Sequence, residues 1–331
     1  MSEMDGIVVD TASRIFANAS ETGAGFDAAA WSAVQEAGLD RLLLSEEAGG
    51  AGDAYEAAAA LARSLGAHAP AIPLVETLVA DWCLGHAGLD VPPGPKALFL
   101  APAGAAAVLA WPLALAVAVI VQPGPDKGAD VRLLDEIPAG RDGVNLAGEP
   151  MRCIDAGGIG KAASSGLSGR SLDDALALFA TLKAAAIVGA LETAFTVTVD
   201  YANTRKQFGR RIGAFQAVQH MIARMAEEVA ASSAAVGKAS RSLGTPGGLF
   251  AAAVAKARAS GAVAPVVAIA HQCHGAIGFT REHALHRFTT RALAWRDEAG
   301  SEAYWHERLG AAALRAGAGG LWVGLTAGSL M

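Results

Sequence analysis

The chain has little of what commits a protein to several common functions. Its 331 residues include three cysteines, Cys83, Cys153 and Cys273, odd in number and far apart. That spacing excludes a disulfide framework and makes a reducing cytoplasm the expected home. Charged residues are only 18% of the chain, with 26 basic against 32 acidic groups and a net charge of −6. Nucleic-acid binding therefore has no electrostatic footprint here. No G-x-S-x-G elbow is present, and no G-x-G-x-x-G follows a convincing strand. A hydrolase triad of that type and a Rossmann dinucleotide site are both unsupported. The opening MSEMDGIVVD lacks a basic stretch ahead of an apolar core, so no secretory signal is expected. The one long uncharged run, Ala97 to Val121, is long enough for a bilayer but contains Pro102, Gly104 and Pro112. Without asymmetric basic flanks it reads as buried strands and turns, not a membrane span.

What is there is apolar and small. Hydrophobic residues make up 53% of the chain, glycine numbers 39 and mean hydropathy is +0.34. The length suits two or three domains sharing a substantial core. Segments 7–20 and 27–37 read as helices, the second with Asp27 as N-cap and Trp31, Val34 and Leu39 apolar. After Gly49-Gly50-Ala51-Gly52, a helix over 53–66 ending at Gly66 and another near 73–86 are expected. From Val91 to about Gly160, proline and glycine recur between short apolar runs, with a turn signal at Pro123-Gly124-Pro125, which suggests a small β-rich insertion. Ser164 to Gly169 reads as a flexible linker. Helix then resumes, capped by Ser171 or Asp173 and carrying Leu178, Leu182, Ile187, Leu191, Phe195 and Thr198. A last alanine-rich helix spans 249–274, where Pro265 should kink it or mark a hinge.

The stretch 200–228, DYANTRKQFGRRIGAFQAVQHMIARMAEE, organises the rest. One helix ends near Tyr201 and the next begins near Phe215, with Val218, Met221, Ile222 and Met225 along one stripe. Between them lie Arg205, Lys206, Arg210 and Arg211, with Gly209 and Gly213 to turn the backbone. A cationic loop between buried helices is either a solvated connection or an anion clamp. Downstream, His271-Gln272-Cys273-His274-Gly275-Ala276-Ile277-Gly278-Phe279-Thr280 closes the last helix. Its histidines and cysteine lack a second ligand pair at zinc-site spacing, so a tight turn is preferred over a metal centre.

These two motifs carry a resemblance. Arg205-Lys206-Gln207-Phe208-Gly209 with Phe215-Gln216, and Gln272 through Thr280, are similar to the paired signatures of acyl-CoA dehydrogenases. Trp31, Gly38-Leu39 and the Gly189, Ala194, Tyr201-Ala202 spacing extend the likeness over nearly the whole chain, weakest from 91 to 165. The resemblance implies a mainly α protein with an N-terminal helical domain (1–90), a reduced β-rich middle domain (91–165) and a C-terminal four-helix bundle (166–331). It implies that Arg205, Gln207, Phe208, Gln216, Gln272, Gly275 and Ala276 approach the FAD of a neighbouring protomer. A guanidinium suits a pyrophosphate through paired, charge-assisted hydrogen bonds.

Two parts of the pattern are missing. The Thr-Glu-Pro and Gly-Ser-Asp signatures that cradle the flavin ring do not occur in the middle segment. The family's carboxylate base takes the α-proton of an acyl-CoA thioester. Its position falls on Ala299, in Trp295-Arg296-Asp297-Glu298-Ala299-Gly300-Ser301. Glu298, one residue earlier, is the weak candidate, with Arg296 beside it as a surface ion-pair partner. The alternative base position in the family lies near Phe179, which is no acid, and Asp173 and Asp174 read as helix-start residues. The resemblance then implies one subunit of a heteromeric acyl-CoA dehydrogenase, of the kind that shortens bulky, including steroid-derived, acyl-CoA side chains. Its partners would be an acyl-CoA substrate, a paralogous subunit and an electron-transfer flavoprotein. A self-sufficient homo-oligomeric flavoenzyme using Glu298 and a flavin-free structural paralogue are the alternatives.

Overall fold

The computed structural model describes residues 3–19, 25–100, 107–113, 117–123, 129–154, 163–328 and 330–331. Pro102, Gly104 and the Gly124-Pro125 turn signal lie outside these residues, as does the end of the segment expected to close near Gly160.

Four helices open the chain: α1 (Glu3–Ala17), α2 (Ala28–Glu36), α3 (Tyr55–His68) and α4 (Leu74–Ala87). Asp27 caps α2 as expected, its Oδ1 accepting the Ala30 N–H at 3.0 Å. Gly66 does not end α3, which runs two residues further. A Cβ at Gly66 would lie 1.9 Å from the carbonyl oxygen of Ala186, and one at Gly189 would lie 2.0 Å from that of Arg63. The two glycines thus let two helices meet backbone to backbone, and the Gly66 that reads as a stop signal is a packing residue.

The second of those helices, α5 (Leu172–Thr204), is the axis of the molecule. Ser171 and Asp174 form a reciprocal capping box at its start. From Ala175 to Leu191 every residue is buried, so the helix is apolar all round, as a central helix must be. Around it stand α3, α6 (Gln216–Ser242), α7 (Gly248–His274) and α8 (Leu285–Trp295), with α9 (Glu302–Ala327) against α7. On α6 only Met225 of the expected apolar stripe is buried, while Val218, Met221 and Ile222 are half-exposed. α7 continues unbroken across Pro265, because Val263 and Val266 on either side are fully buried and hold the flanking turns. α5 and α7 are also long and apolar enough to cross a membrane, but α5 is spent on the core.

The middle of the chain is β-structure: β1 (Lys96–Leu100), β2 (Ala107–Ala110), β3 (Val117–Pro123), β4 (Ala129–Leu134), β5 (Gly140–Val144), β6 (Pro150–Ile154) and β7 (Ala163–Gly166). One sheet has the order β1-β3-β4-β7, parallel only between β1 and β3; the other is antiparallel, β2-β6-β5. Alternate side chains explain the layering. Leu98, Val119, Val121 and Val131 face the main core, whereas Ala97, Phe99, Ala118 and Ile120 meet Leu109 and Ile154 of the second sheet. Within the uncharged run from Ala97, the described strands β1 and β3 are thus covered on both faces. The expected linker at Ser164 is in part a strand: β7 pairs Ser164 with Arg132 and Ser165 with Val131, its backbone satisfied by the ladder where its side chains carry no apolar signal.

Candidate functional site

The basic loop folds as a hairpin. α5 runs three residues past Tyr201, and β8 (Lys206–Gln207) then pairs with β9 (Arg210–Arg211). Phe208 and Gly209 at the tip have φ of 52° and 78°, the left-handed pair that a two-residue hairpin turn requires. A phenylalanine in that conformation is costly, and its ring is 91% exposed. The Arg210 guanidinium sits 4.0 Å over the Phe215 ring, which meets Phe208 edge-on at 6.2 Å. Arg205, Gln207 and Gln216 are all exposed.

The second motif lies at the same end of the bundle. Tyr201, four residues before Arg205, stacks on His274 at 4.4 Å, and its hydroxyl donates to the His274 carbonyl at 3.4 Å. α7 ends at Gly275 (φ 66°, ψ −146°), where a Cβ would meet nothing within 4 Å, so this backbone is open to an approaching group. Gln272, Gly275, Ala276 and Phe279 line a groove of about 660 Å³, with Phe279 72% exposed. The structure therefore brings all seven sequence-derived residues to one end of the chain, on its outside. Among the described residues no group of histidine, cysteine or carboxylate side chains could hold a metal ion.

Glu298 is placed differently from its expected surface pairing. Arg296 reaches Asp297 instead, at 3.4 Å, and Glu298 turns inward to Lys183 of α5, at 2.6 Å. Lys183 also binds Glu76 of α4 at 2.5 Å and lies 5.7 Å over the rings of Phe179 and Trp295. Asn145, from the β5–β6 turn, donates to Glu149 at 2.8 Å and to Glu298 at 3.3 Å. Glu149 accepts from Trp295 Nε1 at 3.0 Å and faces Arg291 at 3.4 Å. Lys183, Glu76, Glu149 and Arg291 are each buried. Burial works against the Lys183 charge, but the carboxylates of Glu298, Glu76 and Glu149 outweigh it and hold its pKa above the ordinary value. Burial pushes the Glu149 pKa up, and the neighbouring Glu298 adds to this.

The turn carrying Glu298 is pinned from behind. Lys256 of α7 donates to Arg296 O at 2.7 Å, Gly300 O at 2.9 Å and Ser260 Oγ at 2.8 Å. Burial lowers the Lys256 pKa to about 7. Trp305 Nε1 claims the Ala299 carbonyl, and Ala299 itself is held at φ 54°. Sequence reasoning missed this network. Its signal was the single lysine in the buried stretch of each of two largely apolar helices, α5 and α7.

The arrangement can bind an anion and a planar ring on its outer face. Both acids at the Ala299 turn are paired, Glu298 with the buried Lys183 and Asp297 with Arg296. Residues 170–314 match the family model described as acyl-CoA dehydrogenase, C-terminal domain. The acyl-CoA dehydrogenase IpdE2 of Mycobacterium tuberculosis is 30% identical over 276 residues, covering 81% of each chain. Among solved structures, the Tcur3481-Tcur3483 steroid ACAD variant superposes with a TM-score of 0.82 at 23% identity, covering 93% of this chain and 97% of that one. The ChsE4-ChsE5 complex from Mycobacterium tuberculosis gives 0.81 at 20% identity, covering 95% and 98%. The fold, the paired motifs and a relative matched over four-fifths of both lengths agree: the chain belongs to the acyl-CoA dehydrogenase family.

Proposed function

We propose that this chain is one subunit of a heteromeric, FAD-dependent acyl-CoA dehydrogenase and completes a cofactor site whose flavin end and base belong to a paralogous partner. The observation that carries this reading is the Glu298–Lys183 ion pair, which ties up the acid next to the position where the family's base would stand. The outward placement of the two motifs agrees with it. Arg205 and Gln216 offer exposed donors to a diphosphate, and the open backbone at Gly275 with the Gln272 groove accommodates a flat ring, so the residues present fit FAD. FAD, when bound, supplies acceptance of the substrate's β-hydrogen as hydride. This chain's residues bind and orient, and its own carboxylates move no proton. The relatives named for heteromeric and steroid-related complexes support a bulky acyl-CoA as substrate and a paralogue as partner; an electron-transfer flavoprotein would reoxidise the assembly, and the cytoplasm is its place.

Producing the chain alone and together with a paralogous subunit, then measuring bound FAD and dye-coupled dehydrogenation of acyl-CoA, tests this. Activity is expected only from the pair. Full activity from the lone chain would overturn the reading in favour of a self-sufficient enzyme using Glu298.

A further inference from the structure

Four of the chain's eight histidines gather directly beneath the turn Gly275–Phe279. His274 is 4% exposed, sandwiched between the Tyr201 ring at 4.4 Å and the His283 ring at 4.6 Å. Its Nδ1 lies 2.8 Å from the Ala270 carbonyl and so must carry the proton, which leaves Nε2 as a buried lone pair with no partner. His283 Nδ1 accepts the Leu285 N–H at 3.2 Å, and its own carbonyl accepts from His286 Nδ1 at 2.7 Å. His271 stacks on Phe279 at 4.2 Å and meets Thr289 Oγ1 at 3.1 Å through Nε2, leaving its buried Nδ1 bare. The Leu285 N–H needs a bare nitrogen on His283, whereas the donations of His274 and His286 to carbonyls serve either charge state.

The surroundings offer no compensating charge. α5 contributes Tyr201; α7 contributes His271 and Cys273; the 280–284 segment contributes His283; α8 contributes His286 and Thr289. Arg287, the nearest full charge on α8, points its guanidinium to the His68 carbonyl at 3.4 Å. Among the described residues the histidine–carboxylate pairs are those of His86 and His306, so none of these four has one. A proton added at His274 Nε2 would sit unpaired between two rings.

We infer that this imidazole cluster is a pH-sensitive latch: the turn Gly275–Phe279 keeps its shape while the buried His274 and His271 nitrogens stay bare and loosens when they gain protons. The inference rests on the proposed cofactor role only for its consequence, since this turn carries Gly275 and Ala276. Burial lowers the pKa of His274 against the opposing pull of the Ala270 carbonyl, with His283 and His271 adding to the lowering, and burial followed by His286 lowers that of His271. A histidine whose folded pKa is depressed contributes stability that is whole above its unfolded value and is lost as pH falls through the folded one. The latch therefore opens on acidification.

Hydrogen exchange of the full-length chain, corrected for intrinsic rates, tests this from about pH 7.5 to about pH 5.5. Protection of peptides spanning 275–284 should fall about tenfold or more per unit of depressed pKa, while the α5 core stays protected. His274→Phe, which keeps the ring stack and titrates nothing, should flatten the response, and His283→Phe should weaken it. Protection that does not change with pH, or two variants that both keep the wild-type loss, would overturn the latch. In the FAD-loaded complex, cofactor release should follow the same midpoint. Loosening of the turn without release of FAD would leave the latch standing and refute the cofactor role of Gly275 and Ala276.

Discussion

Replacing Lys183 with methionine probes the internal network most sharply. Methionine keeps much of the side-chain volume and its contact with Phe179 and Trp295 but removes the charge that Glu76 and Glu298 share. Glu76 and Glu149 are buried, and with Lys183 gone the cation still ion-paired within this cluster is Arg291, on Glu149. Breaking a buried pair by removing one partner costs about 3–5 kcal/mol, because a desolvated charge is left behind. For a chain of this size that corresponds to a midpoint shift of roughly 4–7 °C. Thermal and urea unfolding of the lone chain would read it. Protonating a stranded carboxylate relieves the repulsion, so the deficit should narrow toward acid pH, and the double variant Lys183→Met/Glu76→Gln should recover much of the loss. A single variant as stable as wild type would show that the network is not held by this ion pair. A double variant worse than the single would refute the charge argument.

Two further outcomes follow from geometry. Gly66→Ala or Gly189→Ala forces a methyl to within about 2 Å of a carbonyl on the facing helix. Each should destabilise the chain by about 3 kcal/mol or more in urea titrations, far beyond the helix-propensity gain that alanine brings. Lys256→Met strips two hydrogen bonds from the Arg296–Gly300 turn and one from Ser260, and should cost about 1–3 kcal/mol. Because the folded pKa of Lys256 is lowered to about 7, the unfolded chain binds the extra proton above that pH. Wild-type stability should therefore gain a rising component from about pH 7 toward pH 10, which the variant lacks.

How much was legible in the sequence depends on whether the signal is local. Caps and helix starts were readable because Asp27 and Ser171 act within three residues of themselves. The two motifs that carry the family resemblance were readable because each is a contiguous run. Gly66 was misread because nothing local distinguishes a glycine that ends a helix from one that lets another helix approach. β7 was missed because Ala163–Gly166 owes its structure to pairing with β4 and carries no apolar alternation of its own. Glu298 was assigned the wrong partner for a related reason. Its cation is 115 positions away in sequence, on a helix whose apolar stripe drew attention from the one lysine within it. Ion pairs of that kind exist only once the bundle and the sheets are docked.

The central claim, that this chain completes a FAD site in a partner, is tested most directly by Arg205→Ala introduced into this chain alone. Arg205 is exposed and bears no ion pair among the described residues, so the variant should fold and assemble as wild type does. Flavin absorbance of the purified complex is the measurement. The account predicts that FAD content falls severalfold although the partner is unaltered, and that Glu298→Gln leaves it unchanged. A complex that keeps its full FAD after Arg205→Ala would contradict it.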